Sequence, residues 1–196
     1  MIDAAVGSRV APTIEREELH FRRIDMCGYR RSDGLYEVEG RLVDRKPYDM
    51  PMRNGGRVVP ANEPIHDLGV RLVFDKEMTV QEVSTFTEAA PYAECPAGGE
   101  ALKSLIGLRI ASGWGREVRA RLKGAPSCTH LLELLVPLGT TAFQSLGVVV
   151  FAEPEARDPS GRPLKIDSCY AYRATGELVL RQWPTFHIHS VQSSDE

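Results

Sequence analysis

Several features are missing from this 196-residue chain, and each absence narrows what the protein can be. No run of about 18 apolar residues occurs, so no membrane-spanning helix is expected. The opening MIDAAVGSRVAP has no apolar core of the kind a signal peptide carries, so the expected location is the cytoplasm. The four cysteines, Cys27, Cys95, Cys128 and Cys169, form no CxxC pair. They are expected to be free thiols, not a disulfide framework or a zinc ribbon. Neither HExxH nor GxSxG is present, which argues against a zincin and an ordinary serine hydrolase. No glycine-rich phosphate loop appears, so no nucleotide cofactor is expected. The net charge is −3 and no basic patch stands out, which speaks against nucleic acid as a partner. The nearest thing to one is Arg22-Arg23 with Arg30-Arg31 around Tyr29. What remains is an ordinary globular balance, 42% hydrophobic and 26% charged, over a length that suits one domain.

The most informative stretch runs from Cys128 to Gln144. Wound as a helix at about 100° per residue, it gathers His130, Glu133, Pro137, Thr140, Thr141 and Gln144 into one arc. Leucines, Val136, Ala142 and Phe143 fill the rest of the circle. An ordinary surface helix has the reverse proportion. The pattern predicts a buried helix whose polar stripe faces a cavity or a partner network. Ser127 is its expected N-cap, and Pro137 and Gly139 are expected to kink or interrupt it.

Upstream the period is two. His20–Ile24 and Leu35–Val43 alternate apolar with polar around the turn signal Arg31-Ser32-Asp33-Gly34, which predicts an antiparallel hairpin. Ile65–Phe74 and Met78–Phe86 read as two further strands able to pair. Residues 46–63 read as a loop. Short helical segments are expected over 98–107 and 113–123, and a terminal hairpin turning at Thr175-Gly176 within 168–183. Strands, then helices, then strands predict the α+β class: a single domain over 17–189, with a curved antiparallel sheet packed around a long buried helix. Residues 1–16 are expected to be a flexible lead-in and 190–196 a disordered tail.

Several segments together resemble one bacterial family: Arg23-Ile24-Asp25 with Gly28–Arg31, DGLYEVEGRLVDRKPYD, EPIHDLGVRL, Ala90–Cys95, LIGLRIASGW, SCTHLLELL and TTAFQ. It is the family catalogued as domain of unknown function 2889, and the resemblance runs from about Leu19 to Trp183. Ser127, where the family usually has glycine, and Gly69, where it often has an aromatic residue, depart from the pattern. The resemblance implies a bacterial protein and little mechanism. A loose association of such proteins with bacteria that degrade aromatic compounds suggests an aromatic substrate.

Candidate chemistry centres on His130, with Glu133 three residues on as its orienting carboxylate. His66 and Asp67 are adjacent on a strand, so only one can join a given site, and His66 is the choice. Tyr92 is a candidate proton donor in a loop. Arg31, Tyr29, Thr141, Gln144 and Lys46 are candidate substrate-binding residues, an arginine fork suiting an anionic group. A metal site is the weaker expectation. Cys128 and His130 lie about 200° apart on a helical wheel, so they diverge unless the helix starts after Cys128.

The expected function is therefore that of an acid/base carbon–carbon lyase working without a cofactor on a small, lignin-derived phenolic. It would release formaldehyde from a hydroxymethyl side chain. The alternatives are a non-catalytic ligand-binding or sensory module and a metal-dependent hydrolase or oxygenase. No partner beyond the substrate is expected, unless a second copy forms a homodimer.

Overall fold

The computed structural model describes residues 14–52, 58–124, 126–147 and 155–189. The chain divides into two compact units, Met1–Leu146 and Gly147–Glu196. Among the described residues no helix is long and apolar enough to cross a membrane. Residues 1–13 of the expected lead-in and the whole of the expected tail, 190–196, lie outside the described residues.

The first unit is built on four antiparallel strands: β1 (Phe21–Arg30), β2 (Tyr36–Arg45), β5 (Pro64–Phe74) and β6 (Val80–Ala89), in the order β1-β2-β5-β6. The four strands expected before residue 90 are all present, with their ends shifted. The β1–β2 turn closes through Arg31 N–H donating to the Leu35 carbonyl at 2.9 Å, with Gly34 at φ +87°. That left-handed conformation is what a glycine at the end of a tight turn supplies. The loop after β2 is not wholly irregular. Met50–Pro51 (β3) pairs with Val58–Val59 (β4), and residues 53–57 lie outside the description.

The alternation in β2 divides the sheet into two chemistries. Tyr36, Val38, Gly40, Leu42 and Asp44 are buried on one face; Glu37, Glu39, Arg41, Val43 and Arg45 occupy the other. Register carries this across the strands. Tyr36 stands opposite Phe74, Val38 opposite Leu72, Gly40 opposite Val70, Leu42 opposite Leu68 and Asp44 opposite His66. The inner row is thus apolar over four pairs and polar at the fifth. On the outer face an aromatic residue at position 69 would compete with Phe86, whose ring lies 2.1 Å from where a Gly69 Cβ would stand.

Helix α2 (Thr129–Ser145) lies on the inner face, next to helix α1 (Trp114–Leu122), and the 3-10 segment Cys95–Leu105 packs on α1 and β6. The arrangement corrects the expected buried helix wrapped by sheet. Leu131, Leu134, Leu135, Leu138 and Ala142 are buried, whereas Glu133, Pro137, Thr140, Phe143 and Gln144 are exposed. The buried set follows the i, i+3, i+4, i+7 rule of an ordinary amphipathic helix. The remaining apolar residues, Leu132 and Val136, are only half-buried. Most of the polar stripe therefore faces solvent.

The helix also runs through Pro137 and Gly139 without interruption. Pro137 sits on the exposed side, where the carbonyl it frees can be hydrated. Gly139 serves a close approach. A Cβ there would lie 2.5 Å from Trp114 Cδ1, and the Trp114 indole donates to the Leu135 carbonyl at 2.7 Å.

In the second unit the expected terminal hairpin is absent. Gly176 is instead the N-cap of a short helix, α3 (Glu177–Gln182), followed by a 3-10 turn at Pro184–Phe186. The short helix closes a small apolar cluster. Val179 is fully buried with Ile166 and Ala174, and Trp183 and Phe186 pack on that small cluster.

Candidate functional site

The polar end of the inner sheet face is where the chemistry collects. Asp44 is the fifth inward position of β2, and its carboxylate is buried, with 3% of the side chain exposed. β1 supplies Arg22 directly opposite Asp44, and β5 supplies His66 on the other side. Arg22 clamps the carboxylate with both arms of its fork, Nε to Oδ1 and Nη2 to Oδ2, each at 2.8 Å. Its remaining nitrogen, Nη1, donates to Glu133 of α2 at 2.7 Å. His66 Nδ1 lies 3.2 Å from Asp44 Oδ2, and His20 Nε2 lies 3.3 Å from Oδ1. The first turn of α2 then brings His130 over His66, with ring centroids 3.9 Å apart and planes tilted by 37°.

Electrostatics separate the two imidazoles. Burial, then the neighbouring His130, lowers the His66 pKa, against the pull of Asp44. Cys128 raises that of His130 by hydrogen bonding, against partial burial. For Asp44, burial pushes upward, but the Arg22 clamp outweighs it and holds the carboxyl below its usual range. Cys128 behaves alike: burial would raise its thiol, and His130 with the backbone N–H groups of the first turn brings it down.

The helix does begin after Cys128. Cys128 is the N-cap in place of Ser127, with extended backbone at φ −71° and ψ 130°, and its Sγ lies 3.8 Å from His130 Nδ1. The wheel that would set Cys128 and His130 apart does not apply to a residue outside the helix.

Of the residues singled out in the sequence, His66 and His130 come together. Asp67, on the opposite sheet face, pairs with Arg41 instead. Glu133 is near the site but does not orient His130; its partner is Arg22. Tyr92 is half exposed and borders a cavity of about 530 Å³ with Cys95, Gly98 and Cys128, so that cavity reaches the residue beside His130. A second cavity, about 600 Å³, lies between Trp114, Gly139 and Phe143; Arg109 is the one ionisable residue in its lining.

The others lie elsewhere. Arg31 occupies the β1–β2 turn, bound to Asp33, Glu37 and Glu82. That turn is eight residues and more along β2 from Asp44, roughly 26 Å. Tyr29 is on the outer sheet face. Thr141 bonds the Pro137 carbonyl and touches Met26 Sδ, and Gln144 faces solvent. Lys46 anchors the loop by accepting the Asn62 N–H on its carbonyl at 2.7 Å.

Asp44, Arg22 and His20 complete the site, and none was a sequence candidate. The signal for Asp44 was present. Extending the alternation Tyr36, Val38, Gly40, Leu42 by one step puts a carboxylate at the next inward position. Arg22, Asp44, His66 and His130 are each placed by a strand or helix of the first unit, a more rigid support than a loop, and His20 stands just before β1.

No curated protein and no solved structure matches the chain significantly. One family model does, over residues 20–144, from His20 just before β1 almost to the end of α2. The match stops short of the second unit, although the resemblance read from the sequence extends to Trp183. Arg22, Asp44, His66, His130 and Glu133 all fall inside it. The chain belongs to the family described as Protein of unknown function (DUF2889).

Proposed function

We propose that the protein is a small-molecule enzyme with its reaction centre at the His66–His130 pair, and that it acts as a carbon–carbon lyase on a phenolic aromatic. The observation that carries this reading is the way Asp44 holds His66. A buried carboxylate accepts only, so Nδ1 of His66 is the donor in their contact, and Nε2 keeps its lone pair. A carboxylate orienting an imidazole whose other nitrogen is free is the arrangement of a general base and its orienter. Asp44 therefore takes the role first assigned to Glu133. His66 is the base, and His130, 3.9 Å away across the stacked rings, is the proton donor.

The reaction this pair suits needs no change of oxidation state. The base takes the hydroxyl proton from a hydroxymethyl side chain. The carbonyl of formaldehyde forms as the carbon–carbon bond breaks. The electron pair left behind is delocalised toward the ring and quenched by a proton on the same carbon. Donors near the phenolic oxygen would stabilise the developing charge, and Tyr92, which lines the cavity that reaches Cys128, is the candidate for that role. The aromatic substrate itself rests on the family resemblance, not on the geometry.

The test is incubation of the protein with a panel of hydroxymethyl-bearing phenolic dimers, without redox cofactor, and assay of free formaldehyde. Release that is lost in His66→Gln supports the reading. Tight binding of the same aromatics with no product from any of them sinks it in favour of a binding module.

A further inference from the structure

The same cluster has the composition and spacing of a metal centre. One carboxylate oxygen of Asp44 and one ring nitrogen from each of His66 and His130 all lie within 4.8 Å of one another. We propose that Asp44, His66 and His130 bind a divalent first-row transition-metal ion, of the zinc or ferrous class, as a two-histidine, one-carboxylate site. The inference rests on the cluster being the reaction centre. It would pass to the metal the task of ionising the substrate hydroxyl that His66 performs alone.

Geometry comes first. Ligand atoms about 2.1 Å from a metal stand roughly 3.0–3.4 Å from each other. His66 Nδ1 and Asp44 Oδ2 are already 3.2 Å apart. Small side-chain rotations close the rest of the triangle, with the His66 proton moved to its other nitrogen. The donors come from β2, β5 and α2, so no linear motif announces them. HExxH and paired CxxC place their ligands within one or two segments; here cross-strand register and a helix start do it.

Charge is the second argument. Arg22 clamps both oxygens of Asp44, which alone would leave nothing for a second cation. But Arg22 also returns its charge to Glu133 at 2.7 Å. Two carboxylates share one guanidinium, so one negative charge is left over in a pocket that three imidazoles, those of His20, His66 and His130, also face. A divalent ion fits that balance, and imidazole with carboxylate suits zinc, iron or manganese over the thiolate-seeking metals. Three protein ligands would leave further coordination positions open, as catalytic sites do and structural ones do not.

The experiment is titration of metal-stripped full-length protein with Zn²⁺ by calorimetry, with Co²⁺ absorption as a second readout. The expected result is one ion per chain and a visible Co²⁺ spectrum typical of nitrogen and oxygen ligands. His66→Gln and His130→Gln should each weaken Zn²⁺ binding by at least roughly 100-fold, more than loss of a supporting group alone costs. Asp67→Asn should leave it unchanged. If a histidine variant does not fold, the wild-type Co²⁺ spectrum still decides. Substoichiometric binding, or binding that survives both histidine changes, overturns the proposal. Formaldehyde release is scored separately. Metal binding without release removes the lyase reading and keeps this one; release by protein that binds no metal does the reverse.

Discussion

Asp44 and Asp67 sit near the same end of the sheet, on opposite faces, and each is gripped by both arms of an arginine. The Arg41–Asp67 pair has contacts of 2.7 and 2.6 Å, as short as those of Arg22 with Asp44. Their surroundings differ. Arg41 is 47% exposed, and its contact with Asp67 closes a pair with no charge left over. Asp44 is deeper: His20 and His66 crowd its carboxylate, and a second carboxylate, Glu133, shares its guanidinium. A satisfied pair on the solvent side is structure. An over-supplied cluster under a helix start is where a ligand or a reaction can be accommodated, because some of its groups lack a dedicated partner.

The comparison breaks most visibly if the two aspartates are removed in turn. Asp44→Ala leaves Arg22 and Glu133 without their shared neighbour and takes away the orienter of His66. It should cost about 3 kcal/mol in urea unfolding, as breaking a buried pair does, and abolish turnover. Asp67→Ala should cost less, about 1–2 kcal/mol, because Asp67 is itself 12% exposed but Arg41 is 47% exposed and can be rehydrated, and it should leave turnover alone. Equal losses would mean that the two faces are energetically alike and that Asp44 is only a structural residue.

A smaller effect on stability, with a large one on activity, is expected from the histidines. His66→Gln and His130→Gln keep polar groups of similar size at half-buried positions. Each should lower formaldehyde release by roughly 10²–10⁴-fold, the scale of general acid–base catalysis, while the melting temperature stays near wild type. A collapse in stability with activity retained would make the stacked pair a core feature. Tyr92→Phe belongs lower on the same scale. Tyr92 lines a cavity that reaches Cys128 but neither imidazole, so a loss of about tenfold or less is expected, measured as kcat on a phenolic substrate.

The strands were legible because their signals are local. Period-two alternation gave β1, β2, β5 and β6, and Asp33-Gly34 gave the hairpin turn. The helical positions of α1 and α2 were legible for the same reason. How α2 is buried was not. A wheel counts apolar residues but does not say how many of them a neighbour will cover, and Leu132, Val136 and Phe143 remain partly or largely exposed. The site shows the same division. His66 and His130 were reachable as residue types on opposite elements, and Asp67 could be set aside by alternation. Asp44 and Arg22 were missed because their significance is cross-strand: each is unremarkable until register sets it beside the other and beside His66. Glu133 was misassigned because i, i+3 proximity competes with a better partner 111 residues away, an arginine that no local rule could supply.

The least effect should come from Arg31, which the sequence marks as strongly as any residue near the site. Its fork meets Asp33 at 2.7 Å, and Glu37 and Glu82 stand within 4 Å. Those carboxylates already occupy the donors that a substrate anion would need. The turn also lies at the far end of the sheet, roughly 26 Å from Asp44 along β2, well beyond the distance over which surface charges act at physiological salt. Arg31→Ala should therefore leave KM and kcat within experimental scatter. The change it does produce should be a slight loss of stability that shrinks further as salt is added, because solvent screens such pairs. The check is a pair of unfolding curves at low and high salt beside a kinetic comparison with wild type. A KM raised severalfold by Arg31→Ala would place substrate at the turn, and the division of labour between the two ends of the sheet would have to be redrawn.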